Sequence, residues 1–159
     1  MDKLWAPWRI NYVRNPKQKR CIFCLKKNLK AKEYLIFKTK YSLAMLNIFP
    51  YNNGHILIAP QRHIGKLSQL KKEEGLDLFN ALNKAQKLLR KVLNPDGYNI
   101  GINLSKSAGA GITGHLHIHI VPRWRGDTNF MPTLFSTKVI SQSLDELYQK
   151  LKNAQAKSN

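Results

Sequence analysis

The chain predicts an α+β domain, and three features carry that prediction. Short apolar runs rich in β-branched and aromatic residues recur at 34–37, 42–46, 55–59 and 98–104, each bounded by turn-forming or polar residues. Residues 115–121 alternate strictly, so on an extended strand His115, His117 and His119 share one face and Leu116, Ile118 and Ile120 the other. Residues 68–93 switch to a helical period, with Leu78, Phe79, Leu82, Ala85, Leu89 and Val92 on one stripe and Lys84, Lys87 and Lys91 off it. At 159 residues the chain has the size of a single domain.

Residues 1–20 form an aromatic N-terminal arm. Trp5, Trp8 and Tyr12 need a surface to pack on, and Pro7 and Pro16 preclude a long helix. The domain proper spans 21–152 and opens with Cys21-Ile-Phe-Cys24, two thiols spaced to reach one metal from a tight turn. A redox pair and two inert thiols are the alternatives. Two strands follow, joined by a polar turn at 38–40. Asn47 ends the second, either as a turn former or as a hydrogen-bonding side chain. Residues 50–54 make a turn, and His55 begins a strand stopped by Pro60. The long helix ends at Asn94-Pro-Asp-Gly97, and the next strand carries Asn103 toward a loop, Ser105 to Gly114, with three glycines and no acidic residue. Such a loop can turn backbone N–H groups onto a phosphate. After the histidine strand, residues 122–132 are irregular and rich in Gly, Pro and aromatics. Ser143-Leu-Asp-Glu146 is a capping box that starts a short last helix, and residues 153–159 are a polar tail expected to fray.

Lys and Arg number 27 against 9 acidic residues, a formal net charge of +18. The resulting potential favours a polyanionic partner. The lysines are dispersed, not massed in one block, which argues for small polyphosphates and against a dedicated nucleic-acid function. No apolar run is long enough to span a bilayer, and the amino end has no signal-peptide core, so a soluble, cytoplasmic protein without membrane contact is expected.

Three imidazoles on one face, next to a glycine loop, suit nucleotide or metal chemistry: imidazole can attack phosphorus, bind zinc and change charge near neutrality. Here the sequence resembles the histidine-triad (HIT) family of nucleotide hydrolases and transferases. The resemblance extends to Leu4-Trp-Ala-Pro-Trp-Arg9, Cys21 to Cys24, Asn53-Gly-His55, Arg62-His63, Gly101-Ile-Asn103, Pro122-Arg-Trp124 and residues 126–132. It points to the branch near fragile-histidine-triad dinucleoside polyphosphate hydrolases and bacterial diadenosine tetraphosphate phosphorylases.

The resemblance implies a HIT-like fold, with a five-stranded antiparallel sheet, one long and one short helix, and a homodimer. It implies cleavage of dinucleoside polyphosphates at the α-phosphate through a covalent nucleotidyl-histidine. His117 is the nucleophile in this scheme, His119 assists the phosphate or leaving group, and His115 supports the site. Adenine nucleotides would be held by Asn47 on the ribose, by His55 near the phosphates, and by Asn103, Gly111, Ile112 and Thr113 at the α-phosphate. Ile22 and Phe23, with Leu46, would form the base slot. Structural zinc would sit on Cys21, Cys24, His63 and His115, with no cofactor required for the chemistry. Water is the leading acceptor of the nucleotidyl group, with inorganic phosphate the alternative; Ser105, Lys106 and Ser107 are the extra phosphate contacts. The rival of another class is a basic zinc protein that binds nucleotides or RNA without turnover.

Overall fold

A computed structural model describes residues 21–24, 34–127 and 139–157. The aromatic arm and residues 128–132 of the irregular segment after the triad lie outside the described residues. Strands β1 (Leu35–Lys38), β2 (Ser42–Leu46) and β3 (Ile56–Pro60) precede helix α1 (Lys72–Leu93). Strands β4 (Gly97–Gly101) and β5 (Ile118–Arg123) and helix α2 (Leu144–Ala156) follow. The five strands form one sheet in the order β1-β2-β3-β5-β4, and every neighbouring pair is antiparallel. The α+β class, the five-stranded sheet and the two helices therefore stand as expected.

Strand parity divides the core. Ala44 and Leu46 of β2, with Ile56, Ile58, Ile118 and Ile120, face the helices, where Leu78, Leu82, Ala85 and Leu89 of α1 meet Leu147 and Leu151 of α2. Leu43, Met45, Leu57 and Ala59 point to the opposite face, where Phe23 covers them. Burying each leucine of the α1 stripe contributes roughly 1.5–3 kcal/mol, which fixes the helix on the sheet far more firmly than its own propensity could. Phe79 does not belong to that stripe. It is 63% exposed, because it sits about 100° around the helix from Leu78, and the stripe is completed by Ala81 and Leu88.

Helix α1 starts where Glu74 accepts the Lys71 N–H (2.9 Å) and stops at Asn94 in the left-handed region (φ 43°). Helix α2 starts as the capping box predicts, with Ser143 Oγ accepting the Glu146 N–H at 3.2 Å. It does not fray at residue 153: the helix continues to Ala156, and Ala154 packs on the core, so the first part of the expected polar tail is ordered helix. Strand β4 is also shorter than expected. Its last pair is Gly101 with His119; upstream, the neighbouring segment turns away and donates the Leu116 N–H to the Ile64 carbonyl (2.6 Å), so the ladder ends before residues 102–104.

The sheet's two edges are treated differently. Helix α2 covers β1, where Tyr148 Oη donates to the Leu35 carbonyl (3.1 Å) and Lys152 Nζ to the Ile36 carbonyl (3.0 Å). At the other edge, Asn99, Ile100 and Gly101 of β4 are exposed. Among the described residues no helix is long and apolar enough to cross a membrane.

Candidate active site and metal centre

The site lies on the sheet face opposite the helices, around the chain leading into β5. His115 and His117 precede the strand and His119 is within it, yet the alternation holds: all three stand on the Phe23 side, while Ile118 and Ile120 enter the helix-side core. That face is not a solvated one. His115 is 1% and His117 5% exposed, and the Phe23 ring lies 5.0 Å and 5.1 Å from their centroids.

Backbone groups fix the hydrogens on these rings, because a carbonyl can only accept and an amide N–H can only donate. His117 Nδ1 donates to the His115 carbonyl (2.8 Å), so its Nε2 keeps a lone pair. His115 Nε2 donates to the Pro60 carbonyl (2.8 Å), leaving the Nδ1 lone pair 3.2 Å from Cys21 Sγ. Burial lowers the pKa of all three, to about 4 for His115 and His119, with neighbouring imidazoles adding to the effect at these two. All three are therefore neutral near pH 7, the form in which imidazole attacks phosphorus or binds a metal.

The cysteines complete a second cluster. Cys21, Cys24, His63 and His115 offer one ligand atom each, all within 4.8 Å of one another. Cys24 Sγ lies 3.2 Å from His63 Nδ1 and 3.9 Å from His115 Nδ1. Tetrahedral zinc with sulfur and nitrogen ligands requires separations of roughly 3.3–3.8 Å, so the four donors fit it with little adjustment. The Pro60 carbonyl supplies the outer hydrogen bond that leaves His115 Nδ1 free to ligate. His63 is carried by a loop pinned to α1: Arg62 meets Glu74 through two hydrogen bonds (2.8 and 2.7 Å), and this ion pair pulls the Glu74 carboxyl down to about 2.

The residues expected to contact the nucleotide have the following surroundings. His55 is fully enclosed, with 0% exposure, and both ring nitrogens are engaged within the protein. Asn47 directs its amide at His55 (3.1 Å) and accepts the Phe49 N–H (2.9 Å). Leu46 cannot share a slot with Phe23, because β2 parity puts it in the helix-side core; Phe23 itself is 1% exposed beneath the triad. Ile22 and Ile112 are partly buried and pack beside the Phe23 cluster. In the glycine loop, the Gly109 and Ala110 amides bond the carbonyls of Lys106 and Ser105, so the amides of Gly111, Ile112 and Thr113 are the next ones available to an anion. Gly109 is left-handed (φ 87°) and approaches Asn103, whose amide nitrogen would lie 3.6 Å from a Cβ placed there. Tyr51 is a site residue that the sequence does not reveal. It is 56% exposed yet stacked on His119, 13° from parallel at 5.7 Å, a contact that no local pattern announces.

Comparison with known proteins agrees with this geometry. A HIT domain family model matches residues 28–126. An AP-4-A phosphorylase of Mycobacterium tuberculosis is 36% identical, covering 91% of this chain and 79% of its own. An asymmetrical bis(5'-nucleosyl)-tetraphosphatase of Schizosaccharomyces pombe is 38% identical over 58% of this chain and half of its own length. Among solved structures, a Zn-bound histidine triad family protein from Mycobacterium smegmatis superposes with a TM-score of 0.69 at 28% identity, over 88% of this chain and 96% of that one. Two triad histidines with tautomers set by backbone carbonyls, a glycine loop beside them and a family match across the whole described sheet lead to one conclusion: the chain belongs to the HIT family.

Proposed function

We propose that this enzyme transfers a nucleotidyl group from a dinucleoside polyphosphate of the diadenosine tetraphosphate kind. The observation that carries the reading is the lone pair left on His117 Nε2 by the bond from its Nδ1 to the His115 carbonyl. His117 Nε2 attacks the α-phosphorus, forming an N–P bond as the P–O bond to the leaving nucleotide breaks with its electron pair. His119 donates a hydrogen bond from Nε2 to that leaving oxygen. Asn103 and the amides of Gly111, Ile112 and Thr113 meet the charge that develops on the α-phosphate. Ile22 and Ile112, beside Phe23, receive the base. Cys21, Cys24, His63 and His115 would hold a zinc ion whose contribution there would be structural, fixing His115 and hence the carbonyl that orients His117. The paired free thiols suit a reducing cytoplasm.

From the sequence alone, water stands ahead of phosphate as acceptor. Similarity to an AP-4-A phosphorylase across most of both chains moves phosphate to the front. Attack by phosphate on nucleotidyl-His117 releases ADP; attack by water releases AMP. Incubation with diadenosine tetraphosphate is expected to give ATP and ADP only when phosphate is present. AMP formed at an equal rate without phosphate would reverse this order, and absence of turnover under both conditions would favour the binding protein without turnover.

The active form is a homodimer joined through β4. That edge carries Ile100 (49% exposed), followed by Ile102 (36%), whereas the β1 edge is covered by α2. Ile100→Glu is expected to convert dimer to monomer in sedimentation equilibrium; a wild type that sediments as a monomer refutes the dimer.

A further inference from the structure

His55 has a lone pair on one nitrogen and a hydrogen on the other, and the backbone decides which. The Tyr51 N–H donates to His55 Nδ1 at 3.1 Å, and the Asn47 amide donates to the same nitrogen at 3.1 Å. Asn47 cannot present its oxygen there, because Oδ1 already accepts the Phe49 N–H at 2.9 Å. His55 Nδ1 is thus an acceptor, and its hydrogen lies on Nε2, which faces His119 Nδ1 at 2.9 Å. His119 Nδ1 must accept, so the His119 hydrogen is on Nε2. That atom is buried and has no hydrogen-bond partner among the described residues. The Tyr51 ring lies 4.7 Å from His55 and nearly parallel to His119, which hinders either imidazole from turning over.

The geometry points to Asn47, Tyr51 and His55 as positioning residues for His119, a one-way hydrogen-bond chain that presents His119 Nε2–H as a fixed donor. This rests on the proposed transferase reading, in which His119 faces the leaving oxygen. A buried donor left unpaired in the free enzyme carries a desolvation cost that is relieved when charge develops on that oxygen, so its contribution grows toward the transition state. No proton need be transferred: the oxygen departs with the bonding pair and its charge is met by the N–H.

The consequence is specific to the leaving group. The more basic the departing oxygen, the more it depends on the donor. A series of adenosine 5′-aryl phosphates, from 4-nitrophenol to unsubstituted phenol, measures this directly as the slope of log kcat/KM against phenol pKa. His55→Leu is expected to steepen the slope, with the phenyl ester slowed about 100-fold and the 4-nitrophenyl ester markedly less, the range seen when one preorganised donor is lost. His55→Gln, whose amide can donate to His119 Nδ1, is expected to return most of the wild-type slope. Asn47→Leu, which leaves the Tyr51 N–H in place, should shift it in the same direction by a smaller amount. A uniform fall across the series with the slope unchanged would mean that His55 serves packing alone and overturns the chain. Imidazole ¹⁵N shifts of the wild type test the same chain without any variant: protonation at His119 Nδ1 instead of Nε2 refutes it. Wild-type protein inactive on every ester would count against the transferase reading itself, while the ¹⁵N result would still decide the hydrogen-bond chain.

Discussion

His117→Ala is expected to lower turnover of diadenosine tetraphosphate by about 10⁴-fold or more while leaving the fold and nucleotide binding intact. The size follows from the absence of a substitute. His115 offers no free nitrogen, since Nε2 is bound to the Pro60 carbonyl and Nδ1 faces the two thiols. His119 presents a hydrogen, not a lone pair, on Nε2 because its Nδ1 accepts from His55. Of the three, His117 alone has an unprotonated nitrogen free to reach phosphorus, and burial keeps it neutral. Wild-type protein denatured in alkaline detergent, where an N–P bond to imidazole survives, should retain label from substrate carrying radioactive α-phosphate, and the alanine variant should not. Activity within tenfold of wild type would exclude the covalent route and leave direct displacement.

The fold is legible in the sequence because its signals are local. Alternation from His115 to Val121 decides which side chains share a face, and the change to a helical period marks α1. Sequence and structure part where one residue of phase matters. The periodicity admits Phe79 to the stripe of Leu78 although neighbours on a helix point about 100° apart, and a slot of Leu46 with Phe23 ignores that Leu43 and Met45 are the β2 residues of that parity. The histidines themselves are easy to find, but their tautomers are not. Those depend on the Pro60 carbonyl, distant in sequence from His115, and on amides at the β2–β3 turn, none of which carries a side-chain signature. Tyr51 and the Arg62–Glu74 clamp are invisible as site elements for the same reason: each acts through a contact that exists only once the sheet has formed. The metal cluster lies between these cases. The C-x-x-C spacing is visible, but convergence of His63 and His115 on it requires the loop after β3 to lie beside the approach to β5.

Removing zinc is expected to lower the melting temperature by about 10 °C or more, corresponding to about 4 kcal/mol or more for a domain of this size. The effect is large because the metal joins the Cys21–Cys24 segment to His63 and His115, two stretches already tied to each other through Pro60 and Ile64. Cys21 and Cys24 anchor the segment that carries Phe23 over the triad, and His63 belongs to the loop held to α1 by Arg62. Without metal, partial burial pushes the Cys21 thiol up to about 11, so the His115 Nδ1 lone pair has only a weak S–H contact in place of a ligand bond. Activity should fall as well, although the proposed reaction routes no step through a metal, because the carbonyl that orients His117 belongs to His115. Untagged protein is expected to carry one zinc per chain by elemental analysis, and Cys24→Ser to lose it together with the thermal increment. Zinc-free protein that melts at the same temperature with and without chelator, and is equally active, would show that the cluster binds no structural metal. Retention of zinc in Cys24→Ser would instead remove Cys24 from the ligand set and leave Cys21, His63 and His115 as the site.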